Sequence, residues 1–374
     1  MRVLHVYRTY YPDPPGGLQE AIRQIAATSA TYSIEPRVFA LSPDPHPAEI
    51  DRPEARVIRC RSWAAPASCD LGSSAAFQRF AESVGWADVI NYHFPWPFAD
   101  LLHWVVRPTA PAVMTYHSDI VRQRWLGCAY APLMQGMLRD MRAIVATSPP
   151  YADTSPVLAD AAHRDRVRMI PLGIDEGSYP QHGDDVVLHK LGVDEGELFC
   201  LFIGVLRYYK GLHTLVQAAA NVKAKVVIAG TGPEHAALQA LVRQLGLQNV
   251  VFAGQVSDAE KVALLQRCRA LVLPSHLRSE AYGMVLVEAS MFGKPMVSCE
   301  IGTGTSFVNL HGETGFVVPP ESPEALAHAM NALLDDGVLA EKFGRAARRR
   351  YEVLFSGHVL GKAYAQLYQD VLNK

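Results

Sequence analysis

The chain has 374 residues, which is long enough for two domains of ordinary size. Its 35 basic and 37 acidic residues nearly balance and leave a net charge of −2 at pH 7, so bulk electrostatics do not favour a nucleic-acid-binding protein. No apolar run reaches the roughly 18 residues that a membrane-spanning helix needs. The start of the chain also lacks an apolar segment long enough for a signal peptide.

The six cysteines stand far apart, at positions 60, 69, 128, 200, 268 and 299. No two of them have C-x-x-C spacing, so the cysteines indicate neither a zinc site nor a redox motif. Scattered single thiols are typical of a reducing compartment. We therefore expect a cytoplasmic protein.

Short apolar segments alternate with helical segments along the chain, which is the pattern of an α/β protein with doubly wound parallel sheets. In the first half, the predicted strands are residues 3–7, 37–41, 57–60, 89–93, 112–117, 143–148 and 167–172, and the first helix covers 18–30. In the second half, the predicted strands are residues 199–205, 225–229, 250–254, 271–274, 295–299 and 316–318. The predicted helices there are 212–222, 234–245, 258–267, 283–292 and 323–334. Each half has enough strands for its own sheet.

A polar segment, 175–194, marks the predicted boundary between two domains, 1–180 and 181–356. A last helix, 357–372, follows a basic run at 348–350. In open α/β sheets, ligands bind beyond the carboxyl ends of the strands. We therefore expect two facing Rossmann-like domains with ligands in the cleft between them.

Segment 274–298 concentrates polar groups between a predicted strand and an apolar helix. Glu280 lies in the loop, and Glu288 lies inside the helix, where a carboxylate is costly unless it is paired or binds a ligand. Gly283 lets the first helical turn, with its unpaired N–H groups, approach an anion closely. A buried ion pair is the alternative explanation for Glu288, and a solvated loop carboxylate is the alternative for Glu280.

The sequence Glu280-Ala-Tyr-Gly283 followed by Glu288 resembles the E-x7-E signature of the retaining glycosyltransferases of family GT4, which have the GT-B fold. The flanking sequences Leu273-Pro-Ser275 and Gly293-Lys-Pro295 match as well. The resemblance implies a first domain that binds the acceptor and a second that binds a nucleoside diphosphate sugar, with residues 357–374 crossing back to the first domain. It also implies that Glu288 holds the ribose, while Glu280 and the helix N–H groups hold the donor sugar and phosphates.

The family pattern implies further donor contacts, mostly from backbone at strand ends. Gly16 and Gly17 follow the first strand and leave room for a phosphate or sugar, unless they form a plain turn. From the second domain the implied donor-binding residues are Gly204, Gly230, Val256, Tyr282, Gly283, Met284 and Val285. A tight turn is the alternative at Gly230, and a flexible loop is the alternative for the small residues 302–305.

Two basic residues follow the first strand of the second domain, where a departing nucleoside diphosphate would need cations. Arg207 and Lys210 stand near a helix start, whose dipole disfavours cations that have no anion. GT4 enzymes usually carry arginine directly after the glycine, but Val205 occupies that position here. Since residues two apart in an extended chain face the same side, we expect Arg207 to replace the missing arginine unless the backbone turns at Leu206.

His117 ends the fifth predicted strand. A single histidine at a strand end is more often structural, but GT4 enzymes often carry one here, which implies a hydrogen-bond donor to the transferred sugar. Asp119 could orient this imidazole or contact the acceptor, and His93 is a lesser candidate.

The resemblance implies transfer of a hexose from a nucleoside diphosphate sugar to a saccharide or lipid-linked acceptor, with the leaving phosphate accepting the acceptor's proton. Segment 302–315 resembles bacterial mannosyl- and deoxyhexosyltransferases of surface polysaccharide synthesis, which favours GDP-mannose or a GDP-linked rhamnose-type sugar over a UDP-sugar. The alternatives are a UDP-sugar-dependent GT4 enzyme, a catalytically silent nucleotide-sugar-binding protein, and an epimerase or phosphorylase of the same fold. Because no D-x-D pair or histidine cluster is apparent in the sequence, we expect no metal and no other cofactor.

Several arginines near two aromatic residues form a candidate membrane-binding patch in the first domain: Arg122, Arg124, Arg139 and Arg142 around Trp125 and Tyr130. Such a patch could bind anionic lipid at the cytoplasmic face of the membrane. A solvated surface explains the same residues equally well.

Overall fold

The computed structural model describes residues 1–13, 16–66, 69–120 and 124–373, apart from the side chains of residues 124–129. The chain divides into two compact units. The first contains Met1–Gly173 and the C-terminal residues from Gly357 onward, and the second contains Ile174–Ser356. The first unit therefore ends a few residues before the predicted boundary at 180.

The first unit is built on a mainly parallel sheet. Its strands within the described residues are β1 (Arg2–Val6), β2 (Glu35–Ser42), β3 (Glu49–Asp51), β4 (Arg56–Ala64), β5 (Leu71–Gly72), β6 (Val89–Phe94), β7 (Ala112–Tyr116), β8 (Ala143–Ala146) and β9 (Val167–Met169). Their order is β3-β4-β2-β1-β6-β7-β8-β9, and β5 also pairs with β4. All seven predicted strands are confirmed. The two missed strands, β3 and β5, are the antiparallel additions to β4, and both are too short to show a period.

Helices connect these strands and shield the sheet. They are α1 (Gly17–Ala30), α2 (Ser74–Trp86), α3 (Pro97–Val106), α4 (Arg124–Asp140) and α5 (Pro149–Thr154). The prediction of the first helix is confirmed. Its buried side includes Ile22, Ile25 and Ala26, which follow the three- and four-residue spacing of an amphipathic helix.

The second unit contains a fully parallel sheet in its described strands. These are β10 (Phe199–Ile203), β11 (Lys225–Ala229), β12 (Val250–Gly254), β13 (Ala270–Leu273), β14 (Met296–Cys299) and β15 (Gly315–Val318). The helices are α6 (Val186–Lys190), α7 (Leu212–Ala219), α8 (His235–Gln244), α9 (Asp258–Arg267), α10 (Met284–Met291), α11 (Thr305–Val308), α12 (Pro323–Asp335) and α13 (Gly337–Arg350). All six strands and all five helices predicted here are confirmed.

The strand order of the second sheet is β12-β11-β10-β13-β14-β15. The chain therefore adds β11 and β12 on one side of β10, and then adds β13, β14 and β15 on the other side. Between β10 and β13 the order reverses, and parallel α/β sheets bind ligands beyond the strand ends at such a point. The loops after these two strands carry the predicted residues Lys210 and Glu280.

The last helix, α14 (Gly357–Leu372), packs in the first unit through buried tyrosines. Asn91 Nδ2 donates to the Tyr368 hydroxyl at 2.9 Å, and the Thr115 and Tyr364 hydroxyls lie 3.1 Å apart. Both tyrosines are fully buried. These bonds tie α14 to β6 and β7. No described helix is both long and apolar enough to cross a membrane.

Three buried histidines form a hydrogen-bonded row across β1, β6 and the end of β7. His5 Nδ1 lies 3.0 Å from His93 Nε2, and His93 Nδ1 lies 2.9 Å from His117 Nε2. Burial lowers the pKa of His5 and of His117 to about 3, and it lowers the pKa of His93 well below its usual range. All three imidazoles are therefore neutral at pH 7 and remain so under mildly acidic conditions.

We expect acid to destabilise the fold between about pH 6.5 and pH 3. In that range the unfolded chain protonates these histidines and the folded chain does not, so stability falls as pH decreases, by about 1.4 kcal/mol per pH unit for each histidine. Burial raises the pKa of Asp100 to about 7. Above about pH 4 the folded chain therefore holds a proton that the unfolded chain has lost, so this residue makes stability rise as pH decreases and offsets the contribution of one histidine. Urea unfolding of the full chain at several pH values measures the slope.

His5→Leu tests this explanation, because it removes one titrating group and leaves Asp100 unchanged. Its unfolding free energy should depend less steeply on pH, by about one histidine's share. His182→Leu is the matched control, since this histidine is exposed. An unchanged slope in His5→Leu would show that the row does not govern acid stability.

Candidate active site

Lys210 and Glu280 form a buried ion pair at the carboxyl ends of β10 and β13. Lys210 ends the 3-10 turn Tyr208–Lys210, and Glu280 lies in the loop before α10. Lys210 Nζ contacts Glu280 Oε2, and Ser275 Oγ donates to the same oxygen at 3.2 Å. Glu280 is only 8% exposed, so the alternative of a solvated loop carboxylate is wrong. The strand order brings together two residues that are distant in sequence.

The electrostatic surroundings keep Lys210 charged. Burial lowers the pKa of Lys210, but the charge of Glu280 raises it, and the net pKa lies above the ordinary value. The nearby Arg207 guanidinium acts against this by repulsion. A buried pair of this kind is costly to break from one side, because the remaining charge loses its partner. The site therefore holds a fixed cation.

Glu288 is held in the same manner inside α10. Tyr179 O–H donates to Glu288 Oε1, and Lys261 Nζ lies 3.0 Å from that oxygen. The ion pair that the sequence analysis considered as an alternative is therefore present. The other oxygen of each carboxylate, Oε2 of Glu288 and Oε1 of Glu280, accepts no hydrogen bond from the described residues. Each carboxylate can thus keep its lysine and still accept a ligand hydroxyl.

Helix α10 begins between these carboxylates, at a glycine with left-handed backbone. Gly283 has φ of 83°, and a Cβ there would lie 2.9 Å from Leu273 Cδ2, so both conformation and space require glycine. The first N–H groups, of Met284 and Val285, have no acceptor within the helix. Unpaired N–H groups at a helix start can bind an anion. Tyr282, the preceding residue, is buried.

Segment 302–305 fixes the Glu280 loop from the other side. Thr303 Oγ1 donates to the Glu280 carbonyl at 2.8 Å, and Gly304 N–H donates to the Ala281 carbonyl at 2.8 Å. Thr303 is fully buried. The alternative of a flexible loop is therefore wrong. No local sequence pattern marks a hydrogen bond to a distant loop, so neither this role nor the contacts of Tyr179 and Lys261 could be predicted.

The glycines predicted to bind the donor differ in what surrounds them. A Cβ at Gly230 would lie 2.0 Å from the Gly204 carbonyl oxygen, so packing between these two loops already requires that glycine. This packing explains the glycine without a ligand. An added Cβ at Gly17, at the start of α1, meets no atom of the described residues within 4 Å. Gly16 precedes it in extended backbone, and Val256 lies half-buried just after β12.

Arg207 is exposed, and β10 ends before it, at Ile203. Its N–H donates to the Val205 carbonyl at 2.9 Å, so the backbone does turn at Leu206, as the alternative required. Leu206 is fully buried, however, and the residues on either side of it are both exposed. Positions 205 and 207 therefore still point out of the protein. No acidic side chain among the described residues forms an ion pair with Arg207.

His117 lies at the carboxyl end of the first sheet, at the end of the histidine row. Its Nε2 contacts His93, so the tautomer of the row decides whether its Nδ1 donates or accepts. At the far end of the row, His5 Nε2 is buried without a partner. A buried donor without a partner is rarer than a buried acceptor without one, so we assign the protons to Nδ1 throughout. His117 then presents an Nδ1–H donor, which its ¹⁵N chemical shifts would confirm or refute.

The structure describes only part of the arginine and aromatic patch that the sequence suggests for membrane contact. Arg122 lies outside the described residues, as do the side chains of Arg124 and Trp125. Arg139 and Arg142 are exposed. Tyr130 is half-buried, and its hydroxyl donates to the Asp100 carboxyl group.

Both units match known protein families. Residues 16–173 match the glycosyl transferase 4-like domain, and residues 186–350 match the glycosyl transferases group 1. The second match contains Lys210, Glu280 and Glu288, and the first contains His117 and Gly17.

Two curated relatives align along nearly the whole chain. D-rhamnosyltransferase WbpZ of Pseudomonas aeruginosa is 47% identical over 359 residues, which are 95% of this chain and 92% of that protein. O-antigen chain mannosyltransferase C of Escherichia coli is 43% identical over 372 residues, which are 100% of this chain and 99% of that protein.

Among solved structures, sucrose-phosphate synthase from Thermosynechococcus elongatus resembles the chain with a TM-score of 0.82 at 23% identity. The match covers 100% of this chain and 99% of that one. This likeness shows the fold, two parallel-sheet α/β domains of GT-B type. From the family matches and the two relatives, the chain belongs to the GT4-like glycosyltransferases.

Proposed function

We propose that this glycosyltransferase moves a hexose, mannose or a rhamnose-type deoxyhexose, from a GDP-linked donor to a saccharide acceptor in O-antigen-type polysaccharide synthesis. The observation that carries the proposal is the buried Lys210–Glu280 pair beside the open first turn of α10. It offers a carboxylate for sugar hydroxyls and a cation with N–H groups for phosphate. The names of the two relatives, a D-rhamnosyltransferase and an O-antigen mannosyltransferase, support the choice of sugar.

In this proposal, the charged residues of the second unit and the start of α10 each contact one part of the donor. Glu288 Oε2 accepts from the ribose hydroxyls, and Glu280 Oε1 accepts from the sugar. Lys210 and Arg207 neutralise the leaving diphosphate, together with the N–H groups after Gly283. These charges supply what a metal ion would otherwise supply, so the reaction proceeds without one.

We infer a retaining reaction in which the acceptor hydroxyl attacks on the face that the diphosphate leaves. The departing phosphate oxygen takes the acceptor's proton, so no carboxylate needs to act as a base. Both carboxylates are already engaged by lysines, which suits binding rather than proton transfer. In the first unit, His117 Nδ1–H is the candidate donor to the transferred sugar.

Donor choice is the first test. We expect GDP to raise the thermal unfolding midpoint of the full chain and UDP and ADP to raise it far less, because ligand binding stabilises the fold by mass action. At 100 times Kd the gain in unfolding free energy is about 2.7 kcal/mol. A response to UDP without any response to GDP would overturn the donor assignment.

Turnover then separates an enzyme from a silent binding protein. GDP-mannose and a GDP-linked deoxyhexose are incubated with saccharide acceptors, and the product's anomeric configuration is read by NMR. Retention is expected, with an unchanged rate in excess chelator. Inversion or loss of rate in chelator would refute the mechanism. Donor binding with neither transfer nor hydrolysis would indicate the silent protein.

A lipid-linked acceptor would place the reaction at the cytoplasmic face of a membrane. The exposed Arg139 and Arg142 support contact with anionic lipid, and the five described cysteines are unpaired, which agrees with a reducing compartment. The transfer assay with acceptor in anionic vesicles tests both points. Co-sedimentation that falls with salt is expected, and its absence at low salt would remove membrane contact from the proposal.

Glu288 and Glu280 should differ in their kinetic effects. Glu288→Gln removes a ribose contact that exists in ground state and transition state alike, so KM should rise with little change in kcat. Glu280→Gln should lower kcat more than it raises KM. The neutral amide no longer supplies the negative charge that holds the Lys210 ammonium in position. Steady-state kinetics measure both, and thermal unfolding checks that the buried pairs still permit folding. Small, equal effects would contradict the two roles.

Arg207→Ala should reduce turnover by about 10²-fold or more, since losing a contact to developing charge costs roughly 2–4 kcal/mol. The fold should be unaffected, because Arg207 is exposed and forms no ion pair with a described residue. Arg243→Ala, at the exposed end of α8, is the matched control. Activity within a few-fold of the parent would show that Arg207 is only a surface residue and that Lys210 acts alone.

A further inference from the structure

We propose that His213, His276 and Glu321 form a binding site for one divalent transition-metal ion of the zinc class. Their ligand atoms all lie within 4.8 Å of one another. His213 lies in the first turn of α7, and His276 and Glu321 lie in the loops after β13 and β15, at the same edge of the second sheet. The site is separate from the residues assigned to donor binding, and the proposal does not rest on the transferase activity.

His276 carries the strongest indication of a ligand. It is 8% exposed, yet neither ring nitrogen has a hydrogen-bond partner among the described residues. Buried imidazole nitrogens normally have partners, because leaving them unpaired costs free energy. A metal ion would satisfy one of them.

The aromatic surroundings fix the two imidazoles in position. The His213 and His276 rings meet edge to face at 5.1 Å, with an interplanar angle of 86°. Tyr208 stacks on His213 at 5.6 Å and meets His276 edge-on at 4.9 Å. Both histidines are thereby oriented before any ion arrives, which lowers the entropic cost of binding.

Glu321 completes the set from the solvent side. It is exposed and adopts a left-handed backbone with φ of 55°, which is uncommon for glutamate. Zinc–ligand distances are about 2.0–2.2 Å, so two ligands of one ion lie no more than about 4.4 Å apart. The exposed carboxylate can close this small difference by a side-chain movement.

The donor atoms select the class of metal. Two imidazole nitrogens and one carboxylate suit zinc and its neighbours, whereas magnesium and calcium prefer oxygen ligands alone. Three protein ligands leave a fourth position for water. His213 lies three residues after Lys210 and His276 four before Glu280. The metal site is therefore close in sequence to the ion pair but shares no residue with it.

Metal binding is tested on the full chain after chelator treatment, without donor or acceptor. Zn²⁺ is titrated by calorimetry, and Co²⁺ serves as a spectroscopic probe because its visible absorption reports tetrahedral nitrogen and oxygen ligands. We compare the parent with Glu321→Gln and with His213→Phe, which keeps an aromatic ring against Tyr208. His182→Gln, an exposed histidine of the same unit, is the matched control.

We expect one Zn²⁺ equivalent that raises the unfolding temperature, with affinity at least about tenfold weaker in Glu321→Gln and in His213→Phe. His182→Gln should match the parent. Equal zinc affinity in the parent and both variants would overturn the proposal, as would no zinc uptake by the parent. In chelator, transfer by Glu321→Gln should equal that of the parent, so a failure of the proposed reaction remains distinguishable from a failure of the metal site.

Discussion

The second sheet buries two carboxylates near its carboxyl edge, and each is stabilised by a lysine from a different part of the chain. Lys210 reaches Glu280 from the loop after β10, and Lys261 reaches Glu288 from α9. A buried carboxylate without a cation would cost several kcal/mol. The loops and helices that meet here must therefore keep their relative positions. Because the ion pairs hold these charged groups in place, the charges are already positioned in the ligand-free protein.

Much of this arrangement could be predicted from local sequence. The strands were visible as apolar segments, and Gly283 was visible as a glycine before an apolar helix. The structure confirms its special backbone, since φ is 83°. What local sequence could not show are partners distant along the chain. Tyr179 reaches Glu288, and Thr303 reaches the Glu280 carbonyl, only because strand order brings their loops together.

The histidines illustrate the same limit. His93 and His117 could be noticed because each stands near a strand end, but His5 lies inside β1 and has no such signal. Only the adjacency of β1, β6 and β7 shows that the three form a row. In the second unit, His213 and His276 are separated by several secondary-structure elements, so a search for metal-ligand spacing could not find them.

Two glycines of the family pattern differ in whether the packing of the chain itself requires them. Gly230 is required by its packing against Gly204, whatever binds nearby. At Gly17, no atom of the described residues would exclude a side chain, so their packing does not explain this glycine. The motif alone treats both positions alike.

The ion pair also shows how one lysine could serve both the empty and the liganded site. An ammonium group has three donors, and Glu280 Oε2 engages Lys210 from one side. Phosphate oxygens could therefore reach the remaining donors without displacing Glu280. The carboxylate would then continue to orient Lys210 while its other oxygen accepts from the sugar. In the proposed transfer, these dipoles and charges would need little reorganisation as the diphosphate departs, which is how a preorganised site stabilises a transition state.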